Sequence, residues 1–203
     1  MSKKIASINH FFVGVDEAGR GPLAGPVAVG VVVAPLRSPK LSFFREVKDS
    51  KKLSGQKRRE IFEELHKLHV QKELSYAVAF SGPDFIDREG INPAIYKATK
   101  RCLNRLGVHP ERSHILLDGG LKAPAFYTQQ ETIIRGDEQE VLIALASIVA
   151  KVSRDKKMEG FALRYPHYMF EEHKGYGTEL HRKLIKKHKP CPIHRKSFLG
   201  NIV

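Results

Sequence analysis

Val13-Gly14-Val15-Asp16-Glu17-Ala18-Gly19-Arg20-Gly21-Pro22 decides how this chain is read, because an apolar strand runs straight into two adjacent acids and a glycine-rich turn. Residues 11–15 and 27–33 are apolar runs rich in Val and Phe on either side of that turn, which predicts two neighbouring strands. Residues 75–80, 114–117 and 132–134 read as three more strands, giving five in all. Helical spacing appears between them. Residues 54–69 place Ile61, Leu65 and Leu68 on one face, with Ser54 as N-cap. Residues 92–106 open with Asn92-Pro93 and stop at Gly107, and residues 137–163 form the longest helical stretch. Within it, residues 141–150 are apolar almost all round, as in a helix buried on most sides. A basic helix over 179–188 closes the pattern. The expected architecture is α/β: a catalytic-type domain over residues 1–165 and a small C-terminal helical extension over 166–203 packed on it.

Composition narrows the function. The chain has 203 residues, with 35 Lys plus Arg against 22 Asp plus Glu, a formal net charge of +13. Its 41% hydrophobic content excludes a disordered or low-complexity chain. Only Cys102 and Cys191 are present, without metal-ligand spacing, which excludes a disulfide scaffold and suggests a reducing compartment. The N-terminus has no apolar segment behind its lysines, and the apolar runs 27–35 and 141–150 are too short to span a bilayer core of about 30 Å. The expectation is a soluble, cytoplasmic monomer. Its positive excess calls for a polyanion, nucleic acid first. That excess is densest after residue 150, where 13 Lys plus Arg face 5 Asp plus Glu.

The acids carry the chemistry. Successive strand residues face opposite sides of a sheet, so Asp16 and Glu17 share one site only where the strand ends or bends. Gly19 and Gly21 permit such a bend and a close backbone approach to a ligand. N–H groups of a glycine-rich turn cradle phosphate, with Arg20 placed to assist. Alone, such an Asp-Glu pair is usually a solvent-facing strand end. Asp118 alters that balance, since it ends another apolar strand and is followed by Gly119-Gly120. Side by side, the two strands would bring both carboxylates out at one edge. Asp137 begins the long helix, where N-cap is its simpler role. Clustered carboxylates repel one another unless protons or cations compensate, and Mg²⁺ or Mn²⁺ suit such hard oxygen donors. Two ions of this kind activate a water and stabilise the leaving oxygen in a phosphodiester displacement. An acidic centre in a basic protein therefore points to a nuclease. A non-catalytic basic RNA- or DNA-binding protein would account for the charge but not for the acids.

At these residues the chain resembles ribonuclease HII. Asp16 to Pro22 is similar to that family's signature, and Asp49-Ser50-Lys51-Lys52-Leu53-Ser54 to its DSKKLS loop. Leu117-Asp118-Gly119, Arg135-Gly136-Asp137, the helix from Ala146 to Asp155, His173-Lys174-Gly175-Tyr176-Gly177-Thr178 and His194-Arg195-Lys196-Ser197-Phe198 follow in the family's order. The resemblance implies a ribonuclease H-like fold: a five-stranded mixed sheet flanked by helices, with a C-terminal helical extension. It implies hydrolysis of the RNA strand of RNA–DNA hybrids, and incision 5′ to single ribonucleotides embedded in duplex DNA, leaving 3′-hydroxyl and 5′-phosphate ends. Asp16, Glu17, Asp118 and Asp137 would then be the metal-binding carboxylates. Gly19, Arg20 and Gly21 would read the ribonucleotide's 2′-hydroxyl and phosphates, and Tyr176 would stack on the sugar of the next deoxynucleotide. Lys151 and Arg154 lie three residues apart on one helix face, toward phosphate or toward solvent. Lys48, Lys51 and Lys52 are further candidate substrate contacts. A sliding clamp stands as an open partner for the basic tail.

Overall fold

The computed structural model describes residues 10–35, 44, 47 and 53–202. Its elements in chain order are β1 (Phe11–Ala18), β2 (Val27–Pro35), α1 (Gly55–Val70), β3 (Ser75–Ser81), α2 (Pro83–Glu89), α3 (Ile91–Arg105), β4 (Ser113–Asp118), β5 (Gln130–Ile133), α4 (Gly136–Gln139), α5 (Val141–Arg164), α6 (Phe170–His173), α7 (Glu179–His188) and α8 (Lys196–Leu199). The strands form one mixed sheet in the order β3-β2-β1-β4-β5. β1 pairs antiparallel with β2 and parallel with β4, so the C-terminal ends of β1 and β4 emerge at the same edge. This is the ribonuclease H-like arrangement expected from the sequence.

Alternation along the strands builds two core layers. Val13, Val15, Val27, Val29 and Val31 face α3 and its buried Ile95, Ala98 and Leu103. Val32 and Ala34 face the other side, where α1 contributes Leu65 and α5 contributes Leu142, Leu145 and Val149. Ser54 caps α1 by accepting from the Lys57 N–H at 3.1 Å. The closest seat belongs to α5. An ideal Cβ on Gly14 would lie 2.2 Å from the Leu142 carbonyl, and one on Gly30 would lie 2.2 Å from the Ala146 oxygen. The helix therefore rests on strand backbone, with no side chain between at these two points.

Four local readings change. β1 does not stop before the acids but runs through them to Ala18, because Asp16 and Glu17 keep their antiparallel partners Gly30 and Val29. The stretch 137–163 is two helices, α4 and α5, separated at Glu140, whose backbone is extended. Asp137 is not an N-cap: Arg135 holds that position in a left-handed conformation, with φ of 54°. Asn92-Pro93 lies inside the first turn of α3, after Gly90, which closes the unanticipated helix α2.

Replacing Gly30 by Ala is expected to lift α5 off β2 and cost about 1–3 kcal/mol. Urea unfolding of the variant checks this, and an unchanged midpoint would show that α5 is not seated there.

Candidate active site

The acids gather where β1 and β4 end. Val15 stands beside Leu117 in the parallel register, so Asp16 and Asp118 occupy the next step on adjacent strands. By alternation both belong to the sheet face covered by α5, and Glu17 belongs to the opposite face. Asp16 is 4% exposed. Burial, then the neighbouring charges of Glu17 and Asp118, hold its carboxyl well above the usual range, against hydrogen bonds from Ser147 and from the Glu17 N–H. Asp118 Oδ1 accepts the Gly136 N–H at 2.7 Å. That bond fastens the start of α4, and with it the fully buried Asp137, to the end of β4. Glu17 takes a different partner, Arg20 Nη1 at 3.0 Å, and Arg20 Nη2 donates to Asn92 on α3.

A cleft of about 420 Å³ joins the Glu17–Gly21 turn to Arg58 on α1, Ser147 and Lys151 on α5, and Tyr176. Tyr176 is 41% exposed, and its ring lies over Lys151 Nζ at 5.9 Å and Arg154 Cζ at 5.6 Å. Lys151 also pairs with Asp155 at 2.8 Å. Gly19, Arg20, Gly21, Tyr176 and Lys151 are thus brought to one cleft beside the carboxylates. Arg154 corrects the expectation of a direct phosphate contact. Its side chain is wholly buried, and its donors go to the carbonyls of Ala24, Pro26 and Lys174. Lys48, Lys51 and Lys52 lie outside the described residues.

Arg58, Ser147 and Asn92 were not anticipated. Ser147 had a signal in the sequence, as the single polar residue within the apolar run 141–150. Arg58 and Asn92 had none, because each reaches the site from a helix whose placement only the packed sheet defines.

Oxygen donors alone make up the acidic centre, where burial and then the charges of Glu17 and Asp118 raise the Asp16 carboxyl. That donor set fits a hard divalent cation. Among the described residues no three His, Cys, Asp or Glu side chains converge into a ready-made cage.

Behind Tyr176 lies a chain of neutral histidines. The Cys191 N–H donates to His194 Nδ1 at 2.9 Å, so His194 carries its proton on Nε2. That proton goes to His181 Nε2 at 3.1 Å, and His181 Nδ1 donates in turn to the Tyr176 carbonyl at 2.9 Å. His173 stacks on His181 with ring centroids 4.2 Å apart. Burial is the main cause that pulls His181 and His194 down to about 4, and the facing His173 adds to it.

The ribonuclease HII family model matches residues 13–200. The fold and the family match together define a nuclease of the ribonuclease H-like class. Ribonuclease HII of Caldicellulosiruptor bescii is 44% identical over 96% of this chain and 89% of its own length. That of Endomicrobium trichonymphae is 46% identical over 91% and 83%. The crystal structure of ribonuclease H2 from Pyrococcus horikoshii OT3 superposes with a TM-score of 0.71 at 27% identity, over 92% of this chain and 93% of that one. The ribonuclease HII in the Archaeoglobus fulgidus complex with PCNA shares the fold at a TM-score of 0.75 and 24% identity, over 94% and 96%. The chain belongs to the ribonuclease HII family and is a ribonuclease H, an endoribonuclease acting on RNA paired with DNA.

The histidine chain makes stability pH-dependent. Between their ordinary value of 6.5 and about 4, His181 and His194 are protonated in the unfolded chain and neutral in the folded one. Acid therefore favours unfolding. These two groups are expected to lower the thermal midpoint as pH falls from 6.5 toward 4, and to leave it flat above 7. Replacing His194 by Gln should flatten the acid limb, which a midpoint-versus-pH series in both proteins checks.

Proposed function

We propose that this enzyme cuts the RNA strand of RNA–DNA hybrids and also incises 5′ to a single ribonucleotide embedded in duplex DNA, leaving 3′-hydroxyl and 5′-phosphate ends. The observation that carries this reading is a single cleft lined by Glu17, the Gly19–Gly21 turn and the half-exposed Tyr176 ring, with the buried Asp16 next to Glu17 and electrostatically in touch with Asp118.

Each of these groups has a separate task. A 2′-hydroxyl is the feature by which a protein tells RNA from DNA at one site. The Gly19–Gly21 backbone reads it, because fixed N–H donors without bulky side chains admit a ribose closely. Gly19 takes φ of +88°, and a Cβ there would lie 2.0 Å from the Arg154 side chain. Tyr176 offers its ring to the sugar that follows, which tests for the junction from RNA to DNA. Lys151 adds positive charge at the cleft wall for a phosphate.

Asp16, Glu17, Asp118 and Asp137 would hold the divalent ions, Mg²⁺ or Mn²⁺. A pair of such ions supplies an activated water and neutralises the leaving oxygen. Burial and then the charges of Glu17 and Asp118 raise the Asp16 carboxyl, and a cation beside it would offset both, since a nearby positive charge favours the ionised form. Asp118 is held in line by the Gly136 N–H, and Ser147 orients Asp16. The basic surface beyond residue 150 holds the duplex by its phosphates.

Asp118→Asn keeps an oxygen for the Gly136 N–H but removes a negative charge. Cleavage is expected to fall beyond the about 10–100-fold that loss of an outer-shell partner costs, while binding is largely spared. The measurement is nicking of a DNA duplex carrying one ribonucleotide, with and without Mg²⁺ or Mn²⁺. Cutting confined to long hybrids would remove the single-ribonucleotide activity, and near-normal turnover of the variant would remove Asp118 from the metal site.

A further inference from the structure

Arg154 and Arg195 are wholly buried, and among the described residues no carboxylate pairs with either one. Their six side-chain hydrogen bonds all go to backbone carbonyls. Arg195 donates to Gly19 at 2.6 Å, to Arg20 at 2.9 Å and to Gly25 at 2.9 Å. Arg154 donates to Ala24, Pro26 and Lys174. Five of the six acceptors belong to residues 19–26, and the sixth belongs to the loop that carries Tyr176.

A trans peptide points its C=O and the following N–H in opposite directions, and the described chain has no cis bonds. Turning the Gly19 and Arg20 carbonyls inward to Arg195 therefore turns the Arg20 and Gly21 N–H groups outward. No acceptor among the described residues takes either N–H. Arg154 does the same work across the gap, since it holds the Lys174 carbonyl and lies beneath the Tyr176 ring. The Leu23 N–H to the Gly175 carbonyl at 2.9 Å closes the joint.

We propose that Arg154 and Arg195 are positioning residues, which present the Arg20 and Gly21 N–H groups and the Tyr176 ring as one rigid reading surface. This rests on the reading of that turn and ring as substrate contacts. The chemistry of the side chain supports it: a guanidinium spans three carbonyls in a fixed fork, and an ammonium does not. The two buried cations also place positive charge, with no carboxylate in direct contact among the described residues, behind the outward N–H groups. A substrate phosphodiester is the anion that complements it. Burial, and then Arg154 nearby, draw Arg195 down to about 9, which leaves it charged at neutral pH.

The test places Arg195→Lys and Arg154→Lys separately in an Asp118→Asn background and measures binding by fluorescence anisotropy. Two duplexes are compared, one with a single ribonucleotide and one of DNA alone. The parent is expected to prefer the first, and each Lys variant is expected to lose about tenfold of that preference. Affinity for the all-DNA duplex should change less than about twofold, whereas a merely structural loosening would weaken both. If the parent shows no preference, the reading of the turn fails and takes the inference with it. If the parent and the Lys variants prefer equally, the inference alone fails. Should either variant not fold, the intact protein decides by amide NMR. Arg20 and Gly21 amides that exchange fast and shift on adding the ribonucleotide duplex support the proposal, and protected, unshifted amides overturn it.

Discussion

Helix α5 lies directly on the backbone of β1 and β2, and the rest of the structure follows from that seat. Gly14 and Gly30 make it possible, since any side chain there would collide with helix backbone. Once α5 is held so close, one stripe of its surface runs past the end of β1. Ser147, Lys151, Arg154 and Met158 follow at spacings of four, three and four, which places them on one face. Ser147 meets Asp16, Lys151 enters the cleft, Arg154 fills the space beneath Gly19, and Met158 lies under Gly25. A single rigid element thus aligns the acidic centre with the turn beside it.

Electrostatics divides the molecule in two. The protein is strongly positive as a whole, yet at the β1 and β4 ends burial and the neighbouring charges of Glu17 and Asp118 raise the Asp16 carboxyl well above its usual range. Two buried arginines lie a short distance away, with their hydrogen bonds satisfied and their charge unpaired by any carboxylate. Burying such groups is costly unless the geometry is good and every donor is used. Here all six of the donors described meet carbonyls, and what remains is a positive field next to a negative site. A phosphodiester carries negative charge and, with a divalent ion, can bridge both.

The C-terminal segment takes part in that arrangement. Gly25 donates to the Ile193 carbonyl, Arg195 N–H donates to Leu23, and Ala24 bridges His194. The histidine chain from Cys191 to the Tyr176 carbonyl gives each ring a defined neutral tautomer, because a second proton on His181 or His194 would set two N–H groups against each other. Neutrality of these rings and the placement of Tyr176 are therefore one condition.

The strands, most of the helices and the clustering of acids are legible in the amino-acid order. The apolar runs of β1 and β2, the Ser54 cap and the position of Asp118 at the end of β4 are local patterns, and local patterns survive without knowledge of partners. That Asp16 and Glu17 belong to opposite sheet faces follows only from packing, since β1 continues through both acids as long as β2 pairs with them. Packing also decided that Asp137 is buried beside Asp118 rather than capping a helix. Arg154 shows the reason most clearly. Its helix spacing from Lys151 suggested a shared outward face, yet its acceptors are backbone carbonyls as far as 130 positions away, and those of Arg195 are as far as 176. Carbonyls have no sequence signature, so a charge that is satisfied by them is invisible until the chain has closed around it.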